Sequence, residues 1–334
     1  MNLPRALRAS RTAPATAALA GVLLVASACA SGSADAGGED TAGTATATED
    51  APATVVVEHA QGETEVDVDP QKIFTYDFAA LSVLDALGVD VAGVPKQNVP
   101  EAYAEYATDE GVQDIGTLFE PDYELVAAEQ PDLIIVAGRS SEAYPQLSEI
   151  APTIDLSNDW ATFHDSVVAN AETLAPVFEA EDEVADLVTE LDAAVADVKE
   201  KAESAGTSLV VLTSGGEVTA YGPGSRFGFL HDSLGLTPAV EDVEAATHGE
   251  AVSFEFLLET DPDWLFVVDR DAATGEGTEN AEQVLDNEVV HRTTAWQEDH
   301  VVYLDPTTWY IINGGVPTLT AMAEEVGAAL DGDA

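Results

Sequence analysis

One nine-residue pattern occurs once in each half of the chain. Residues 131–139 begin with Pro-Asp, continue as an apolar run and end in Arg139, and residues 262–270 repeat this order and end in Arg270. An apolar run without polar alternation is typical of a strand that is covered on both faces of a parallel sheet. The repeat therefore predicts two α/β lobes of similar construction. If the lobes face each other, Arg139 and Arg270 lie across one cleft, because such sheets bind ligands outside the carboxyl ends of their strands.

A long helical pattern separates the two copies. Residues 181–202 contain neither Gly nor Pro and carry apolar residues at helical spacing. A helix of roughly 22 residues spans about 33 Å, which is the width of a domain. We predict an α/β protein in which two Rossmann-like lobes, residues 54–175 and 206–334, are joined by a single long α-helix within residues 176–205.

The amino-terminal residues indicate export. Residues 1–28 combine a basic start, a short apolar stretch and small residues before the end, which is the pattern of a signal peptide. The only cysteine, Cys29, follows directly, as in a bacterial lipobox, although Ala26 stands where Leu or Val is usual. We predict that Cys29 is lipidated at the outer face of the cell membrane, as in a Gram-positive bacterium, and that residues 29–53 form a disordered tether. Plain secretion is the alternative.

The charge balance excludes one class of partner. The chain has 63 Asp and Glu against 11 Lys and Arg, a formal net charge of −52. Such a surface repels nucleic acid. In so acidic a protein, each arginine beyond the signal peptide requires a reason. These arginines are Arg139, Arg226, Arg270 and Arg292.

A glycine-rich run contains the third of the candidate arginines. Arg226 lies within residues 221–228, where a strand pattern changes into a helical one, and His248 precedes Gly249 just before another helical pattern. We expect both at the rim of the ligand crevice, outside the carboxyl ends of strands. An arginine and a histidine at one rim indicate a site for an anion, including one that carries a metal ion.

Several segments together resemble a known family. They are Ser-Arg-Phe-Gly at 225–228, His-Gly at 248–249, Val-Val-Asp-Arg at 267–270 and Tyr-Leu-Asp-Pro-Thr-Thr-Trp-Tyr at 303–310. Over residues 54–330 the chain resembles the substrate-binding lipoproteins of iron-siderophore ABC importers. The resemblance is to the catecholate-binding branch, which includes enterobactin and petrobactin receptors, and it implies the class III periplasmic-binding-protein fold.

The resemblance also implies a set of binding residues. In this branch three arginines bind the catecholate oxygens, and the matching positions are Arg139, Arg226 and Arg270. A histidine and a tyrosine complete the coordination of the ferric ion, and they match His248 and Tyr310. Ferric iron then arrives with the siderophore, so we expect no intrinsic cofactor.

Two further residues match positions that contact the permease. Glu124 and Glu255 occupy equivalent places in the two halves, where family members form salt bridges with permease arginines. The resemblance therefore implies an ABC permease as partner of a membrane-anchored solute receptor, which we expect to be a monomer.

Other functions remain open on the sequence alone. The same fold serves receptors for hydroxamate siderophores, haem or cobalamin, and a structural or adhesive surface protein is a more distant alternative. An enzyme is not expected, because residues 222–228 lack the G-x-S-x-G spacing of a nucleophile elbow.

Overall fold

The computed structural model describes residues 53–240, 243, 249–277 and 279–332. The predicted signal peptide, Cys29 and nearly all of the tether lie outside the described residues, and so does His248. No helix among the described residues is long and apolar enough to cross a membrane.

The amino-terminal half opens with a hairpin and continues as a parallel sheet. The hairpin consists of the antiparallel strands β1 and β2. Five short strands then form a sheet in the order β5-β4-β3-β6-β7, in which all neighbours are parallel. The strands are β1 Thr54–His59, β2 Gly62–Asp67, β3 Ile73–Thr75, β4 Gly93–Val94, β5 Gln113–Asp114, β6 Leu133–Val136 and β7 Thr153–Asp155. The helices are α1 Phe78–Leu87, α2 Ala104–Thr108, α3 Tyr123–Glu129, α4 Tyr144–Leu147 and α5 Phe163–Leu174.

The carboxyl-terminal half contains a mixed sheet in the order β11-β9-β8-β12-β13, with β10 also paired to β8. The pattern at residues 262–270 forms β12, which is parallel to β8 and β13. The strands are β8 Thr207–Ser214, β9 Glu217–Tyr221, β10 Thr237–Pro238, β11 Glu250–Val252, β12 Trp264–Asp269 and β13 Val301–Leu304. The helices are α6 Glu181–Ala202 before the sheet, then α7 Phe229–Asp232, α8 Phe254–Thr260, α9 Arg270–Thr274, α10 Ala281–Leu285, α11 Thr294–Gln297 and α12 Val316–Leu330.

The direction of one strand in this half departs from the parallel arrangement that the sequence suggests. Strand β9 runs antiparallel to β8, so its last residue, Tyr221, lies beside Val210 near the start of β8. Arg226 therefore does not leave the edge where the parallel strands end. The segment after Gly249 also differs, because it first forms β11 against β9 and becomes helical only at Phe254.

The predicted connecting helix is confirmed as α6, Glu181–Ala202. The helix does not continue into the preceding residues, since Glu179 adopts a positive φ of 51° between α5 and α6. Helix α12, which we assigned to the carboxyl-terminal lobe, packs against α6 and also against α1 and α5. Buried side chains of both sheets and of α6 and α12 join in one hydrophobic cluster. The two sheets thus share a continuous core.

Gly315 is a sensitive point at the start of α12. Its φ is +77°, and a Cβ there would lie 2.5 Å from the Ala79 carbonyl oxygen and overlap the Ser82 hydroxyl. We expect Gly315→Ala to lower the free energy of unfolding in urea by about 3 kcal/mol, because it adds left-handed strain to overpacking against α1. Gly275→Ala is the control, since Gly275 has a φ of +68° but a Cβ added there would meet no atom within 4 Å. It should cost about 1 kcal/mol, and equal losses for both variants would contradict the packing argument.

Candidate functional site

The segment after β13 carries the residue on which the site is centred. Residues Thr307–Ile312 form a π-helical turn that ends at Asn313, whose φ is 40°. Trp309 is fully buried, and its indole nitrogen donates to Glu325 on α12 at 2.6 Å. Glu325 also accepts from the Asp305 amide at 2.7 Å, and burial raises the pKa of this carboxyl. The turn is thereby fastened to α12, which fixes the position of Tyr310.

Three arginines converge on Tyr310. Arg139 donates to the Tyr310 and Ile311 carbonyl oxygens at 2.7 and 3.0 Å, and Arg226 donates to the same Tyr310 carbonyl at 2.5 Å. Arg270 donates from Nε to the Tyr310 hydroxyl at 3.1 Å. The guanidinium carbons of Arg139, Arg226 and Arg270 lie 5.6, 4.4 and 5.9 Å from the centre of the Tyr310 ring. These distances allow cation–π attraction.

The structure therefore brings together four of the five side chains that the sequence analysis grouped as a site. The two lobes both contribute, because Arg139 follows β6 and Arg270 follows β12. The backbone explains how one residue receives several donors, since Tyr310 and Ile311 lie in the last turn of this short helix, where carbonyl groups lack intrahelical partners.

The arginines carry positive charge that is incompletely balanced. Burial, together with the charge of Arg139, lowers the pKa of Arg226 to about 10, and burial also lowers the pKa of Arg139. Both stay protonated at neutral pH. Within the described part of the chain, neither forms an ion pair with an acidic side chain, and the buried Nε of Arg226 has no hydrogen-bond partner. Arg270 differs, because it pairs with Glu276 at 3.2 Å and Asp271 at 3.7 Å.

A cavity of about 430 Å³ opens beside this cluster. Arg139, Arg226 and Tyr310 line one part of it, and the remaining lining includes Asp77 and the apolar side chains Phe78, Leu118, Phe119 and Trp160. Arg270 is not among the lining residues. It contacts the Tyr310 hydroxyl instead, so Arg139 and Arg270 do not face each other across open space as the repeat suggested.

A family model described as "Periplasmic binding protein" matches residues 73–308. The chain belongs to this family. The match extends over both sheets and over α6, which joins them, so the two-lobed fold with a helical connector is the fold of the family.

Individual relatives are similar over most of their length. The chain is 42% identical to the petrobactin-binding protein YclQ of Bacillus subtilis over 80% of this chain and 85% of the relative. The crystal structure of that protein superposes with a TM-score of 0.80 over 84% of this chain and 99% of YclQ. The periplasmic catecholate-siderophore binding protein VctP of Vibrio cholerae is 32% identical, with a TM-score of 0.78 over 83% of this chain and all of VctP.

Sequence reasoning missed Asp77, which lies at the carboxyl end of β3 and lines the cavity. Its carboxylate caps α1 by accepting from the Ala80 amide at 2.7 Å. Burial raises the pKa of Asp77 to about 6, although the Ala80 amide and the charge of Arg139 oppose this shift. The rule that ligands bind beyond the carboxyl ends of parallel strands could have identified this residue. No sequence pattern marks Phe119, which lies in a loop, or Trp160, which begins a short 3-10 helix.

The two candidate permease contacts occupy matching positions. Glu124 lies in the first turn of α3, after the cap residue Asp122, and Glu255 lies in the first turn of α8, after the cap residue Ser253. Both glutamates are exposed. They are separate from the cavity, as a docking role requires.

Asp77→Asn should reveal the titration of this buried carboxyl. The native pKa of about 6 exceeds the unfolded value of about 3.9, so the native state holds the proton more tightly between these pH values. Asp77 therefore lowers the free energy of unfolding as the pH rises through this window. Asn keeps a cap acceptor without the charge, and we expect the variant to exceed the wild type by about 1 to 3 kcal/mol at pH 7.5. In urea unfolding this difference should shrink toward zero at pH 4.

Asp122→Asn provides the control, because Asp122 caps α3 in the same way from an exposed position. Its effect should be small at both pH values. A gain for Asp77→Asn that does not change with pH would contradict the assignment of the titration to Asp77.

Proposed function

We propose that this protein captures a ferric catecholate siderophore outside the cytoplasm and delivers it to an ABC permease. The observation that carries this proposal is the convergence of Arg139, Arg226 and Arg270 on Tyr310 beside a cavity of about 430 Å³. In a chain of net charge −52, such a cluster of cations indicates an anionic ligand.

The chemistry of the arginines suits catecholate oxygens. A guanidinium group presents forked donors that match paired oxygens, and it stays charged when it is partly desolvated. Burial and, to a smaller extent, repulsion from Arg139 lower the pKa of Arg226, so the charged site is destabilised without a ligand. A polyanionic chelate relieves this repulsion. The acidic surface opposes the ligand only weakly at distance, because physiological salt screens charges beyond about 8 Å.

The names of two relatives support the same ligand class. YclQ is named for binding petrobactin, and VctP is named for binding catecholate siderophores. By analogy, the ferric ion is cargo in our proposal. When the siderophore leaves coordination positions open, we propose that the Tyr310 hydroxyl and the His248 imidazole fill them, since phenolate oxygen and imidazole nitrogen both bind iron.

The remaining parts of the proposal concern location and partners. We propose that lipidated Cys29 holds a monomer at the outer face of the membrane, and that Glu124 and Glu255 contact arginines of the permease. The protein in this proposal binds and releases its ligand without chemical conversion and carries no resident cofactor.

Titration of ligand by quenching of tryptophan fluorescence tests the site, because Trp160 lines the cavity. We expect the wild type to bind a ferric catecholate chelate more tightly than a ferric hydroxamate, haem or cobalamin. Arg226→Gln should weaken catecholate binding about tenfold or more, since it removes a partly buried charged donor. The matched control is Arg292→Gln, at an exposed position, which should bind like the wild type. Tighter binding of any other ligand class by the wild type would refute the proposal.

Uptake of radioactive iron by cells tests the proposed permease contacts. We expect the double variant Glu124→Lys, Glu255→Lys to keep the wild-type affinity for the ferric chelate and to lose most of its uptake, because like charges would then face each other at the docking surface. Glu282→Lys is the control, because Glu282 is also exposed in the first turn of a helix, α10. If uptake falls equally in Glu282→Lys, the loss results from the change in surface charge in general and not from the proposed permease contacts.

A further inference from the structure

Phe119 stands out among the apolar side chains. It is 69% exposed, yet it lines the cavity beside Arg139 and Arg226. A single exposed apolar side chain needs no explanation by itself. Here the position matters, because the ring stands at the edge of a charged cavity where a bound molecule would cover it.

The loop that carries Phe119 is held by its own hydrogen bonds. The Thr117 amide donates to the Glu120 carbonyl at 3.0 Å, and the Thr117 hydroxyl accepts from the amides of Glu120 and Phe119 at 2.9 and 3.2 Å. Gly116 allows this turn, since its φ is +106° and a Cβ would lie 2.5 Å from the Glu120 carbonyl oxygen. Phe119 is therefore presented on a defined turn.

A second aromatic side chain lines the same cavity. Trp160 packs against Phe163 with ring centres 5.0 Å apart, and Phe163 meets Phe229 of α7 edge to face at 6.3 Å. These contacts fix Trp160 in place. With the buried Phe78, the cavity has an aromatic wall formed by Phe78, Phe119 and Trp160 in addition to its two arginines.

We infer that Phe119 is a specificity-determining residue that covers the ring of an aromatic chelating arm while Arg139 and Arg226 bind the oxygens of that arm. This inference rests on the proposed function and names a residue that recognises the ring of its ligand. A catecholate arm carries its oxygens on one edge of an apolar ring. Its oxygens therefore match the arginines of the cavity, and its ring matches the aromatic side chains. A ring-free chelate such as ferric citrate matches the arginines but leaves the aromatic wall in contact with polar groups or water.

The test compares two ferric chelates on purified full-length protein. One is a ferric complex of two 2,3-dihydroxybenzoyl arms on a linear diamine, and the other is ferric citrate. We expect Phe119→Ala to weaken binding of the first about tenfold and to change binding of ferric citrate less than twofold. Phe119→Tyr should restore binding of the aromatic chelate, because it restores the ring. All four tryptophans remain in these variants, so fluorescence quenching serves as the readout.

Tyr303→Ala is the control, because Tyr303 is an aromatic residue of 37% exposure that borders a different cavity. It should leave both affinities unchanged. If Phe119→Ala loses the same affinity for both chelates, or loses affinity for neither, the role of Phe119 is overturned. Binding of the aromatic chelate by the wild type would still support the proposed function in that case. A wild type that binds neither chelate would overturn both. Thermal unfolding of each variant checks that affinity changes do not arise from misfolding.

Discussion

Two guanidinium groups donate to one peptide carbonyl, that of Tyr310, and a third donates to the hydroxyl of the same residue. This arrangement depends on a short segment that departs from regular helix geometry. Helix α12 holds this segment in place, because the indole nitrogen of buried Trp309 donates to Glu325 on that helix. A polar contact inside the core thus determines where the charged groups of the site meet.

The rest of the fold supplies a rigid base for that segment. Helix α6 joins the two sheets, and α12 packs against α6, α1 and α5, so the last helix of the chain contacts elements of both halves. Because one cluster of buried side chains extends across the connector, we expect little relative movement of the lobes. Binding then relies on a preformed site, which reduces the entropy lost when a ligand is ordered.

The surface of the molecule and its candidate site carry charges of opposite sign. The surface is strongly acidic, while Arg139 and Arg226 are placed in the cavity with little compensation. Asp77 is the acidic side chain among the lining residues that the structure describes, and burial keeps its pKa near 6. The site is therefore cationic although the protein as a whole is anionic. Local charge and dehydration, rather than net charge, decide what such a cavity binds.

The sequence by itself determined the elements whose signals are local. The repeated apolar runs predict β6 and β12, and the uninterrupted helical pattern predicts α6. The arginines after the two runs, Arg139 and Arg270, both contact Tyr310. Only the tertiary structure decided how these parts meet. Strand β9 turned out to be antiparallel, so Arg226 reaches the Tyr310 carbonyl from a strand whose direction the sequence did not predict. Asp77, Phe119 and Trp160, which line the same cavity, were not among the predicted residues. The physical reason is that strand direction and cavity lining depend on contacts between residues far apart in the chain, whereas periodicity and turn residues report only on their neighbours.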